Sequence, residues 1–258
     1  MLKKISLRRA GLILRGELSL PAKNTYDLVI LMHGLGGRSG NSAKSLVWHV
    51  AENLQREGLA TLKFDFNGHG LSDGLFSEMN LLNELEDAQV ALQFALKLGH
   101  AKRIYLIGHS QGGIVASMLA GLYPDIVSKL VLLAPAITLR DETLSGDFQG
   151  SKFDTKHVPT SLALASGLEV SGFYLRSLRE LPIEQVAQNF KGPVRLIHGD
   201  SDQAVSKDAS LRMHAIYENS QLTIIPGGTH SFDGVARDKV VQIVDDFLSG
   251  VQSDTHIH

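Results

Sequence analysis

Apolar residues recur along this chain in two alternating rhythms. Short unbroken runs such as "DLVILMHG", residues 27–34, have the length of a strand buried on both faces. Between them lie longer stretches with apolar positions three and four apart, as at Leu46, Val50 and Leu54, the spacing of one helix face. In order, the first twenty residues predict two short strands, "KKISLRR" and "LILRGELSL", turning at Gly11. Next come the strand "DLVILMHG", the helix "SAKSLVWHVAENLQREG" ended by Gly58, and the strand "LATLKFDF". The helix "NLLNELEDAQVALQFALKLG" follows, with Asn80 as its cap and Gly99 as its stop. "RIYLIGH" then reads as a strand, "QGGIVASMLAGLYP" as a helix and "SKLVLLAPA" as a strand. After a less regular stretch come the strand "PVRLIHG", a helix near Ser206 to Tyr217, the strand "SQLTIIPG", and a last helix near Val235 to Leu248.

Doubly apolar strands alternating with helices predict an α/β fold. Its sheet is mostly parallel, edged by antiparallel N-terminal strands and covered by helices on both faces. Residues 136–189 break the rhythm with Ser, Thr, Gly and scattered charge. They read as a lid inserted over the C-terminal edge of the sheet, between core segments 1–135 and 190–258. No internal repeat or low-complexity tract is visible, and the final "SDTHIH" reads as a frayed tail.

Composition narrows the chemistry. The 258 residues are 43% hydrophobic and 20% charged, as in an ordinary globular protein. There is no cysteine, which excludes disulfides, cysteine nucleophiles and thiolate metal sites. A formal charge of −2 argues against nucleic-acid and membrane partners. In the N-terminal segment Arg8, Arg9 and Arg15 interrupt every apolar run, unlike a signal peptide. No run approaches the roughly 20 apolar residues of a membrane span. The expected location is cytoplasmic.

The most informative stretch is Gly108-His109-Ser110-Gln111-Gly112, a G-x-S-x-G pattern placed between a strand and a helix. In that context Ser110 projects above the sheet as a nucleophile. The Gln111 amide lies where free N–H groups and positive dipole gather. A serine hydroxyl needs a base, and eleven histidines are available. His49, His100 and His214 belong to helices, His256 and His258 to the tail, His69 and His157 to other loops. His33 and His198 end strands as "HG", where loop hydrogen bonding is the usual role, and His109 should point away from its neighbour Ser110. His230, in the loop "GGTHSF" after the last strand, is left as the base. For the acid that orients it, Asp202 fits H-G-x-x-D-x-x-V, with Asp200 as the fallback. A second oxyanion amide is expected at Leu35 in "HGLGG", alongside Gln111.

With "HGLGG", "GHSQGG", "HGDSDQAV" and "GGTHSF" in this order, the chain resembles the α/β-hydrolase family over nearly its whole length. "FDFNGHGLSDG", "LVLLAPA" and "GFYLRSLRELPI" look most like the bacterial feruloyl and cinnamoyl esterases. The resemblance implies hydrolysis of hydroxycinnamic esters, without metal or cofactor, by a triad of Ser110, Asp202 and His230. The Leu35 and Gln111 amides would form the oxyanion hole, and a homodimer is compatible with the family. It also implies lid residues that bind the phenolic ring: Gln149, Tyr174 and an acid at Asp141 or Glu142. His33 and His109 join this substrate-binding set from beside the serine. Phe148, Phe153, Phe173 and Tyr174 would supply an apolar slot. The chain departs from the family's pattern with Glu142 where Asp is expected, and with an extra residue between Gln149 and Tyr174. The same triad also suits short aliphatic esters or monoacylglycerols. A silent binding protein on this fold is a third reading.

Overall fold

In a computed structural model of the chain, the two N-terminal runs form strands β1 (Leu2–Arg9) and β2 (Leu12–Ser19). They pair antiparallel across the tight turn at Ala10 and Gly11, both with positive φ. The structure describes residues 1–39 and 45–250. The tail "SDTHIH" and residues 42–44, at the expected start of the first helix, lie outside the described residues.

Strand β3 (Tyr26–Met32) is followed by α1 (Leu46–Arg56), β4 (Ala60–Phe64) and α2 (Leu81–Lys97). Asn80 caps α2 as predicted: its side chain accepts from the Leu82 and Asn83 amides, and Asn83 answers the Asn80 amide. Next come β5 (Ala101–His109), α3 (Gln111–Leu122) and β6 (Val127–Leu133). The irregular stretch holds α4 (Leu139–Ser145), the hairpin β7 (Asp147–Phe148) and β8 (Ser151–Lys152), and the hairpin β9 (Ser161–Ala163) and β10 (Glu169–Ser171). It closes with α5 (Gly172–Glu180) and α6 (Ile183–Ala187). The chain ends in β11 (Val194–Gly199), α7 (Asp208–Ile216), β12 (Ser220–Ile225) and α8 (Val235–Ser249).

The eight-stranded sheet runs β1-β2-β4-β3-β5-β6-β11-β12. From β4 onward every pairing is parallel, and β2 joins β4 antiparallel. The predicted α/β-hydrolase arrangement is thus the observed one. Side chains alternate across the sheet: Leu28, Ile30 and Met32 of β3 join one core, Val29 and Leu31 the other. The larger core lies against α2, α3, α5 and α6, the smaller against α1 and α8. Helix α3 is buried from Gln111 to Gly121, which explains why its sequence lacks a polar face. Because β4 and β5 lie on opposite sides of β3, the loops leaving β3 and β5 part company there. That switch point opens a crevice at the carboxyl ends of the strands.

Candidate active site

Ser110 is the single residue between β5 and α3. It turns the chain at φ 56° and ψ −124°, a conformation that costs a non-glycine residue about 1–3 kcal/mol. The surroundings enforce it. The Ser110 amide donates to the Leu133 carbonyl at 2.9 Å, and its carbonyl accepts from the amides of Gly113 (2.9 Å) and Ala136 (3.0 Å). A side chain at Gly108 would come within 2.2 Å of the Gly112 carbonyl oxygen, so strand and helix meet this closely only with glycine there. Leading α3, the Gln111 amide has no acceptor within its own helix.

The loops after β11 and β12 complete a hydrogen-bonded chain. Ser110 Oγ donates to His230 Nε2 at 2.9 Å, and His230 Nδ1 donates to Asp202 Oδ2 at 2.7 Å. The other Asp202 oxygen accepts the amides of Ala204 (2.8 Å) and Val205 (2.9 Å). A second imidazole, that of His198, reaches Asp202 Oδ2 at 3.2 Å, with both side chains almost wholly buried. Burial works to raise the Asp202 carboxyl. Hydrogen bonds from His198, His230 and the Val205 amide, with the nearby His230 ring, outweigh it and hold the group below the usual carboxylate range. Asp200 instead accepts the Gly227 amide and the Ser201 hydroxyl, a turn-forming role. This chain of groups can draw the proton from Ser110 and stabilise the imidazolium that results.

The loop after β3 lies against the serine: a side chain at Gly34 would meet Ser110 Cβ at 2.7 Å. Two buried histidines brace this loop. His33 Nδ1 donates to the Gly34 carbonyl and His33 Nε2 accepts from the Phe66 amide. His69 Nδ1 donates to the Asn67 carbonyl and His69 Nε2 accepts from the Gly36 amide. Burial and the neighbouring His69 push His33 down to about 4, and burial lowers His69. Both rings are therefore neutral with both nitrogens engaged, so His33 braces the loop that flanks Ser110. Leu35 lies between the two braced residues Gly34 and Gly36. His109 lines a cavity of about 220 Å³ together with Gly34 and Gly36 of that loop and Leu46 and Val47 of α1, and its Nε2 donates to the His230 carbonyl at 2.9 Å.

In the stretch between β6 and β11, Glu142 accepts both the amide (2.9 Å) and the side-chain nitrogen (3.0 Å) of Gln149. Asp141 turns outward to an ion pair with Arg212, which also holds Glu184, so of the two acids only Glu142 meets Gln149. Tyr174 is fully buried, and its hydroxyl donates to Gln111 Oε1 at 2.6 Å instead of facing an open slot. Phe148 packs edge-on against it at 5.7 Å, whereas Phe173 is 53% exposed. These two rings serve to fasten the insert. Helix α6 packs on α3 through Gly121, where a side chain would strike the Val186 carbonyl. It thus belongs with the larger core.

The family model described as "Serine aminopeptidase, S33" matches residues 23–170, from just before β3 into β10, more than half of the chain. The chain is an α/β hydrolase of this family. Among solved structures, "Ferulic Acid bound to Est1E from Butyrivibrio proteoclasticus" superposes on this hydrolase with a TM-score of 0.91 and 32% identity. The match covers 95% of this chain and 98% of that one. The human "Serine hydrolase BPHL" is 24% identical over 76% of this hydrolase and 72% of its own length. The mouse "Acylamino-acid-releasing enzyme" is 27% identical over 83% of the chain, which spans only 30% of that larger protein.

Sequence reasoning missed three residues around the centre of this hydrolase. His69 looked like an ordinary loop histidine, and His198 was given a loop bond but not its contact with Asp202. Glu84 of α2, buried beneath Gln111, was passed over. Glu84 had a legible signal: it stands on the apolar stripe of Leu81, Ala88, Ala91 and Ala95, where a charge is out of place. Among the described residues no group of three or more His, Cys, Asp or Glu side chains is placed to hold a metal. No described helix is long and apolar enough to cross a membrane.

Proposed function

We propose that this hydrolase is a serine carboxylesterase that cleaves esters of hydroxycinnamic acids through an acyl-enzyme. The observation that carries the reaction class is the unbroken hydrogen-bonded chain from Ser110 through His230 to Asp202 on a strained strand–helix turn. Ser110 Oγ attacks the ester carbonyl carbon while His230 Nε2 takes its proton. The Leu35 and Gln111 amides stabilise the tetrahedral oxyanion, each such donor contributing about 3 kcal/mol in the transition state. Collapse expels the alcohol, which receives the proton from His230. Water, activated by the same imidazole, then attacks the acyl carbon and releases the acid and Ser110. The substrate class is supported by the likeness to the ferulate-bound Est1E over nearly the full length of both chains. Glu142 and Gln149 in the insert would meet the phenolic end.

A second reading, short aliphatic acyl esters, is favoured by Tyr174, whose hydroxyl is committed to Gln111. Turnover of methyl ferulate against p-nitrophenyl butyrate separates the two. An advantage of about a hundredfold for the butyrate, some 2.7 kcal/mol in transition-state binding, would overturn the hydroxycinnamate reading. A chain that fails to react with a fluorophosphonate at Ser110 would be the silent binding protein.

A further inference from the structure

Beneath the serine turn lies a closed polar relay that the proposed reaction does not use directly. Glu84, 1% exposed on α2, accepts from Gln111 Nε2 through Oε2 at 2.8 Å. Gln111 Oε1 in turn accepts the Tyr174 hydroxyl at 2.6 Å. The side chain of Gln111 is therefore held at both ends, by the core helix α2 below and by α5 of the insert above. The backbone N–H of this same residue is one of the two oxyanion donors.

We infer that Glu84 is a positioning residue: through the Gln111 side chain it fixes the amide that receives the oxyanion and fastens Tyr174, and with it the insert, above Ser110. This rests on the acyl-transfer reading of the site, but not on the identity of the acyl group. The groups facing Glu84 agree with a structural acid. Gln111 reaches it from α3 and Tyr174 lies nearby on α5. On its own helix the neighbour Asp87 is occupied by Arg9 of β1 and by Asn67. Burial pushes the Glu84 carboxyl up to about 8, so at neutral pH it is uncharged, and glutamine is its close isostere. A buried relay with every member bonded holds its parts in one arrangement, and removing one partner strands the next.

The test uses the full chain and p-nitrophenyl acetate, which reports acyl transfer at Ser110 whatever the natural acid. Glu84→Ala, and Glu84→Met as the volume-keeping alternative, are expected to lower kcat about tenfold or more with KM changed less than about threefold. Glu84→Gln, which can still accept from Gln111, should recover at least about half of the wild-type kcat. Tyr174→Phe should lower kcat in the same direction. Its effect and that of Glu84→Met should be less than additive, since both act through one side chain. Folded Glu84→Ala or Glu84→Met protein with kcat within about twofold of wild type overturns the inference. If neither of those folds, an unchanged kcat in Tyr174→Phe overturns it instead. Wild-type protein active on p-nitrophenyl acetate but inert to methyl ferulate sinks the substrate reading alone. Wild-type protein inert to both overturns the site itself.

Discussion

The imidazole of His109 donates from Nε2 to the backbone carbonyl of His230 at 2.9 Å, with the two rings 4.9 Å apart. The residue before Ser110 thus ties down the loop that brings the opposing imidazole to Ser110. Burial and the adjacent His230 push His109 down to about 3, so the ring stays neutral and the donor is always present. Replacing it with His109→Phe keeps an aromatic of similar size and removes the donor. The expected result is a fall in kcat of about 10- to 100-fold with KM within about twofold. Steady-state kinetics on p-nitrophenyl acetate measure it, and a raised KM with intact kcat would contradict the assignment.

Ser110 contains two separable properties, its hydroxyl and its strained backbone. Ser110→Ala removes the first and keeps the second, so kcat should fall by about 10⁶-fold while the fold survives. Ser110→Gly removes both, because glycine adopts φ 56° without penalty. Relief of strain, set against the added entropy of an unfolded glycine, should leave Ser110→Gly more stable than Ser110→Ala by about 1 kcal/mol. Thermal unfolding of the two inactive variants side by side is the measurement. An alanine variant that melts higher would show that the turn is not strained.

Asp202 is predicted to act as a carboxylate that fixes the tautomer of His230. Asp202→Asn leaves one acceptor oxygen where two now serve four donors, the Ala204 and Val205 amides and the two imidazoles. With the NH2 turned to His230 the wrong tautomer is favoured, so kcat should drop about 10³- to 10⁴-fold. A fall of tenfold or less in stopped assays at neutral pH would show that His230 is oriented by something else.

The buried rings should make stability depend on pH. His33 has its folded value lowered to about 4 from the ordinary 6.5. Its contribution is therefore fully present above pH 6.5 and is lost as the pH falls through 4, by up to about 1.4 kcal/mol per pH unit. Glu84 has the opposite sign: raised from 4.5 to about 8, it favours folding at low pH and loses that contribution as pH rises between those values. Comparing wild type with His33→Gln cancels the Glu84 effect. The unfolding free energy of wild type minus that of His33→Gln, from urea titrations, should shrink between pH 7 and pH 4.5. A constant difference would show that His33 titrates normally.

Much of this is legible in the sequence alone, for physical reasons. The serine turn is dictated by local sterics, so Gly108, Ser110 and Gly112 announce it without knowledge of distant residues. Helix ends at Asn80, Gly58 and Gly99 are equally local. Asp202 and His230 could be picked because strand order fixes which loops share an edge of the sheet. What could not be read was where side chains without local constraint would go. The tie from His109 to a carbonyl 121 residues away, the contact of His198 with Asp202, and the outward turn of Asp141 toward Arg212 each depend on packing between separate segments. Tyr174 illustrates the same limit: the resemblance singles it out as a contact for the phenolic ring, but its hydroxyl goes to Gln111.

The connection from β6 to β11 leaves the sheet at one end of a strand and rejoins it at the other end of the adjoining parallel strand. Its returning piece, α6, is wedged so tightly on α3 that Gly121 tolerates no methyl group. Recombination between related hydrolases that exchanges only the outbound portion, up to about Leu181, would preserve this wedge and the scaffold. Chimeras crossing over inside α6 would instead force a misfit at Gly121. Breeding new specificities on this framework therefore has a natural splice point, set by a helix seated on α3.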